Sequence, residues 1–120
     1  MNNQEQILTL QDLRDWKDGG SSPCDPLPIA GVIGDPIAHS LSPAMHQPAL
    51  NALGIKGTYV KIHIPADTES LDELCDLLKA LNFRGLNVTI PHKLAALNAA
   101  DEVDEVAQAM GVANTLLFTD

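Results

Sequence analysis

Aromatic side chains are scarce in this sequence. They make up 3% of its 120 residues, so the core has to be built from Leu, Ile, Val and Ala. Basic residues are scarce too: 7 Lys and Arg stand against 16 Asp and Glu, for a formal net charge of -9. That balance argues against capture of nucleic-acid phosphates and of an anionic membrane surface. No apolar run approaches membrane-spanning length, and no signal-peptide pattern opens the chain. Cysteine is limited to Cys24 and Cys75, whose spacing fits neither a metal site nor a redox motif. Cys75 falls on an apolar helical stripe and reads as a small core residue. A reduced, cytoplasmic setting follows. The eight glycines never form a Gly-x-Gly-x-x-Gly phosphate loop. What remains is 45% hydrophobic, enough for one globular domain with a modest core.

Residues 1–28 read as an N-terminal appendage and linker. Leu8, Leu10, Leu13 and Trp16 predict a short amphipathic helix with Thr9 near its start. Gly19-Gly20-Ser21-Ser22-Pro23 stops it. The domain proper spans residues 29–120. It opens with a near-continuous apolar strand at 29–33, the pattern of a strand covered on both faces. Gly34-Asp35-Pro36 then turns the chain. Ser42 before Pro43 marks a helix start, with serine as the cap and proline in the first turn. That helix should stop at Gly54, with Pro48 awkward inside it. Residues 58–64 are rich in β-branched side chains and read as a second strand. Asp67 or Thr68 should cap a helix reaching about Leu81, with Leu71, Leu74, Cys75 and Leu78 on its buried face. Asp67, Glu69, Asp72 and Glu73 suit the positive end of that helix and are read as helix-end charges, not as metal ligands. A strand at 86–90, helices at 93–99 and 102–110, and a last strand at 112–118 complete the order. The alternation predicts a three-layer α/β fold, a mostly parallel sheet with helices on both faces and right-handed crossovers.

The stretch Gly85-Leu86-Asn87-Val88-Thr89-Ile90-Pro91-His92-Lys93 organises the rest. Asn87 and Thr89 alternate with apolar residues and so should share a face. Pro91 cannot donate to the ladder and ends the strand. His92 and Lys93 follow at the strand's carboxyl end, where open α/β sheets bind ligands. Asn87 and Thr89 suit ligand hydroxyls, and Lys93 can hold or transfer a proton. The same residues would also suit an edge strand with a solvated polar face and a surface lysine. Ser40 and Ser42 have two readings as well. They are a loop residue and a cap, or they are two hydroxyls beside a helix N-terminus, a good place for a carboxylate.

Three ordered motifs carry a resemblance. Gly34-Asp35-Pro36-Ile37-Ala38-His39-Ser40-Leu41-Ser42-Pro43, Asn87-Val88-Thr89-Ile90-Pro91-His92-Lys93 and Ala113-Asn114-Thr115 together resemble the signature of shikimate dehydrogenases, over roughly residues 29–118. The resemblance implies the substrate-binding domain of an enzyme that reduces 3-dehydroshikimate to shikimate with NADPH. It implies that Ser40 and Ser42 hold the substrate carboxylate, that Asn87, Thr89 and Asn114 surround the ring hydroxyls, and that Lys93 is the catalytic lysine. It assigns no catalytic part to His39, His46 or His92. It places NADP(H) on a domain these residues do not include, and it leaves room for a homodimer. The partner aspartate and closing helix of the family pattern do not occur within these residues. By themselves they are therefore expected to be inactive. Two alternatives stay open: a quinate-using relative, and a binding module for cyclic hydroxy acids that performs no redox chemistry.

Overall fold

A computed structural model describes residues 7–38, 40, 42–89, 91–103, 105–110 and 115–118, without the side chains of Val106 and Ala107. Its centre is β2 (Pro28–Gly34), as the apolar run at its position predicts. β3 (Thr58–His63) and β4 (Gly85–Val88) pair with β2 in parallel on either side. Successive strand residues face opposite ways, so Val32 and Ile33 enter different cores, and each is fully buried. Ile33, Val60, Ile62, Leu86 and Val88 face the larger one. Against them pack α3 (Asp72–Ala80), through Leu74, Cys75 and Leu78, and α4 (Lys93–Ala99), through Ala96. Val32, Tyr59 and Ile37 form a smaller cluster on the other face, covered by Leu50 of α2 (Ser42–Ala52). The fold is thus α/β with helices on both faces of a mostly parallel sheet. β5 (Thr115–Leu117) closes one side and runs antiparallel to β4.

The N-terminal segment departs from the expected appendage. Residues 7–9 form a strand, β1 (Ile7–Thr9), parallel to β3 at the other edge, so the order is β1-β3-β2-β4-β5. Leu8 and Leu13 sit in the main core with Ile33 and Ile62. The helix α1 (Leu10–Lys17) is present, and Thr9 caps it in a reciprocal box with Asp12. Arg14 grips Glu73 of α3 with two bonds, Nε to Oε2 at 2.8 Å and Nη2 to Oε1 at 2.6 Å. The strand escaped sequence reading because three residues cannot display a period of two, and Leu8 fits the helical spacing of the leucines that follow.

Other boundaries move by a few residues. α2 runs through Pro48 and ends before Gly54, whose φ of +70° is the left-handed value that glycine takes without strain. α3 starts later than the predicted caps. Thr68 instead closes a turn on Pro65, and Ser70 Oγ accepts from the Asp72 amide. α5 (Glu105–Met110) is shorter than the predicted 102–110. Both cysteines are thiols buried in the main core, and burial raises both thiol pKa values. Among the described residues no helix is long and apolar enough to cross a membrane.

Asp35 ties the ends of β2 and β3 together. Its Oδ2 accepts from the Ala66 amide at 2.8 Å, and its Oδ1 lies 3.2 Å from His63 Nε2. The Ala66 bond first, and the His63 bond second, hold its pKa below the ordinary 3.8.

Two outcomes follow from this packing. Leu13→Ala should cost about 2–5 kcal/mol, the range for truncating a buried leucine, read by denaturant unfolding followed on Trp16 fluorescence. A merely appended helix would leave the midpoint unmoved. The depressed Asp35 pKa stabilises the fold above the ordinary carboxylate value, and that contribution is lost as pH falls through the lower folded value. The stability difference between wild type and Asp35→Asn should therefore shrink below about pH 3.8, in paired urea titrations across pH.

Candidate functional site

Because β2, β3 and β4 are parallel, their carboxyl ends share one edge of the sheet. The chain leaving β2 there carries Ser40 and enters α2 at Ser42. The chain leaving β4 carries Thr89 and enters α4 at Lys93. All the described site candidates thus lie on or beside two strand-to-helix connections at one edge, the place such sheets reserve for ligands.

The side chains divide the work differently from the sequence expectation. Ser40 Oγ accepts from the Ser42 amide at 3.2 Å, so Ser40, not Ser42, supplies the oxygen at the start of α2. The Tyr59 hydroxyl donates to Asn87 Oδ1, and Asn87 Nδ2 donates to Thr115 Oγ1 at 3.3 Å. A line of three polar side chains, Tyr59–Asn87–Thr115, therefore crosses the α2 face of the sheet. Tyr59 reaches Asn87 over β2, against Ala30 and Val32, and its ring stacks on His46 with centroids 4.9 Å apart. Burial pushes the phenol up to about 12, and the nearby Ser42 hydroxyl opposes that rise. Gln47 of α2 fixes the strand beneath, accepting from the Tyr59 amide at 2.7 Å and donating to the Gly57 carbonyl at 2.9 Å.

A groove of ≈ 230 Å³ opens beside this line, walled by Leu50 and Leu117 and floored by Ala30, with His46, Tyr59, Asn87 and Thr115 as its polar side chains. Lys61 lies on the same face, and its ammonium donates to the Ala38 carbonyl, which steadies the loop bearing Ser40.

The remaining candidates sit apart from that line. Thr89 lies just past β4, and its hydroxyl donates to the Ile33 carbonyl at 3.1 Å, the same oxygen its amide uses. Lys93 is the first residue of α4 and half-buried. His92, given no catalytic part, is almost fully buried, with Nε2 2.6 Å from the Ile64 carbonyl. A carbonyl only accepts, so Nε2 carries the ring proton and pins the start of α4 to the end of β3. Asn114 and His39 lie outside the described residues. No group of three or more His, Cys, Asp or Glu side chains suited to a metal ion occurs among the described residues.

Sequence reading missed Tyr59, Lys61 and Thr115. The signal was present for the first two: alternation along β3 puts residues 59 and 61 on one face, and the parallel register turns that face toward Asn87. Thr115 stands within the Ala-Asn-Thr motif, where Asn114 drew the assignment.

Comparison with known proteins fits this arrangement. Residues 32–116 match the family described as the shikimate dehydrogenase substrate binding domain. A shikimate dehydrogenase (NADP(+)) from Jannaschia sp. is 46% identical over 95 residues, which are 79% of this chain and 34% of that relative. One from Cereibacter sphaeroides is 50% identical over 95 residues, 77% of this chain and 32% of the relative. The chain thus spans about a third of the length of these relatives. Among solved structures, shikimate dehydrogenase from Aquifex aeolicus superposes with a TM-score of 0.72 at 32% identity, covering 81% of this chain and 36% of that one. The Thermus thermophilus enzyme, solved in complex with NADP(H) and shikimate, gives 0.64 at 43% identity, covering 78% and 34%. With a matching family over most of its length, and the same fold in these neighbours, the chain belongs to the shikimate dehydrogenase substrate binding domain family.

Proposed function

We propose that these residues are the substrate-binding part of an NADP-dependent shikimate dehydrogenase of the cytoplasm, taking shikimate and 3-dehydroshikimate. The observation that supports this reading most is that the chains leaving β2 with Ser40 and β4 with Thr89 and Lys93 do so at one edge of the sheet, in a chain of this family. Ser40 and Ser42 are the groups for the substrate carboxylate, at the positive start of an 11-residue helix. Asn87, Thr89 and Asn114 are the groups for the ring hydroxyls. NADP(H), held by a domain outside residues 1–120, supplies the hydride. Lys93 acts on the other half of the chemistry: its ammonium stabilises negative charge growing on the carbonyl oxygen and gives or relays the proton.

The 120-residue chain alone should bind shikimate weakly and bind no NADPH, because it lacks a phosphate loop. Titration calorimetry with shikimate, quinate and NADPH checks this and separates the quinate reading. Ser42→Ala should weaken shikimate by about ten-fold or more, since hydrogen bonds to charged groups contribute about 1.5–3 kcal/mol. Unchanged affinity would remove Ser42 from the site. In the enzyme that contains this chain and its nucleotide-binding domain, Lys93→Ala should lower kcat by roughly 10²-fold or more with a small change in substrate dissociation constant. Equal losses in both would make Lys93 an ordinary substrate contact.

A further inference from the structure

β3 turns three alternate side chains, Tyr59, Lys61 and His63, to one face, and two of them hold the connection that carries the serines. His63 Nε2 lies 3.2 Å from Asp35 Oδ1. The Lys61 ammonium donates to the Ala38 carbonyl. Ala38 belongs to the turn that the Ser40 amide closes on the Ile37 carbonyl at 3.1 Å, and Ser40 Oγ then accepts from the Ser42 amide. Two residues separate Ala38 from Ser40 along the chain, so their Cα atoms are no more than about 7.6 Å apart. The contact thus holds the cation on the loop that bears Ser40 and leads into α2. An ammonium has three protons, and one carbonyl takes only one of them. A carbonyl is also neutral, so it leaves the charge without a counter-ion. Among the described residues the ion pairs are Arg14–Glu73, His63–Asp35 and Lys79–Asp101, and none includes Lys61. With 16 acidic against 7 basic side chains, carboxylates are not in short supply. Asp35, the acid nearest Ser40 in sequence, is taken up by the Ala66 amide and His63.

Resting on the function proposed above, we propose that Lys61 is a specificity-determining contact for the ligand's carboxylate: one proton fixes the serine loop, and the remaining protons and the charge meet the acid group seated at Ser40 and Ser42. Hydroxyls and helix amides accept a neutral oxygen as well as a charged one, so the serines alone discriminate weakly between an acid and its ester. A half-buried cation adds that preference, because a bond between charged partners is about twice as strong as a neutral one. The ligand class this favours is a monoanionic acid with its carboxylate at the start of α2. Lys61 takes no part in proton or hydride transfer, which the proposed function leaves to Lys93 and the nucleotide.

The test has to separate charge from bracing. Lys61→Gln removes the charge and keeps an N–H donor for the loop carbonyl. Nuclear magnetic resonance titration of the labelled 120-residue chain with shikimate, at low and at high sodium chloride, reads the affinity of each form. At low salt Lys61→Gln should bind shikimate about five-fold more weakly than wild type, the upper end for an ion pair in contact with solvent. High salt screens the charge, so it should weaken wild type more than the variant and bring the two together. Lys61→Arg, which keeps the charge, should bind as wild type does. Equal affinities of wild type and Lys61→Gln at low salt, a loss that salt does not narrow, or Lys61→Arg binding no better than Lys61→Gln makes Lys61 a brace alone. Each of these overturns the proposal and leaves the functional reading standing. Should Lys61→Gln not fold, wild type decides. The signals of the Lys61 ε-methylene, identified by their absence from Lys61→Arg, should move as shikimate binds, and signals unmoved at saturation overturn the contact. Failure of folded wild type to bind shikimate overturns both readings.

Discussion

The double burial of β2 is the constraint on which the rest depends. A strand with neighbours on both sides and helices on both faces has to be apolar in both directions, and Val32 and Ile33 show no exposure at all. Everything around it is placed by that requirement. Ile33 calls for cover on one face, and α3 and α4 provide it. Val32 calls for cover on the other, and α2 provides it through Leu50, with Tyr59 alongside. A chain with so few aromatic residues fills the larger core with branched aliphatic side chains. The smaller face, with less to bury, has space for a polar line and a groove.

That asymmetry explains what the sequence disclosed. The central strand and α3 have an apolar run and a helical stripe long enough to be read directly. β1 does not. Three residues show no period, and its identity comes from pairing with β3, which is a tertiary fact. The start of α3 was misread for a related reason. Asp67, Thr68 and Ser70 are all caps by chemistry, and only the turn closed by Thr68 on Pro65 removes the first two from contention.

The site shows the same boundary between local and non-local information. Ser40, Ser42 and Asn87 stand out in the sequence because motifs mark them. Their division of labour does not. At the start of α2 it is the Ser40 hydroxyl that accepts, from the Ser42 amide. Tyr59 carries no motif of its own. It reaches Asn87 only because β2 lies between β3 and β4, with small Ala30 beneath the ring. Thr89 illustrates the converse. Strand alternation pairs it with Asn87, but β4 ends at Val88, and the Thr89 hydroxyl turns back to β2.

A chain with a formal net charge of -9 is a poor long-range attractor of an anion. Under the proposed function, capture of a carboxylate therefore depends on the local arrangement. Beyond about 10 Å, ordinary salt screens the surface acids, so their number matters less than their position. Of the acids in the α3 first turn, Glu73 is neutralised by Arg14 on the far face of the sheet. Asp35 is the acid nearest Ser40 in sequence, and it is engaged by the Ala66 amide and His63. At the ligand edge stand Lys61, fixed to the loop before Ser40, and Lys93 at the start of α4. The start of α2 adds free amides and the positive end of its dipole. Such contacts act over one hydrogen bond's length. They discriminate by shape and by hydrogen count rather than by charge alone, which is what the small hydroxylated acid of the proposed function requires.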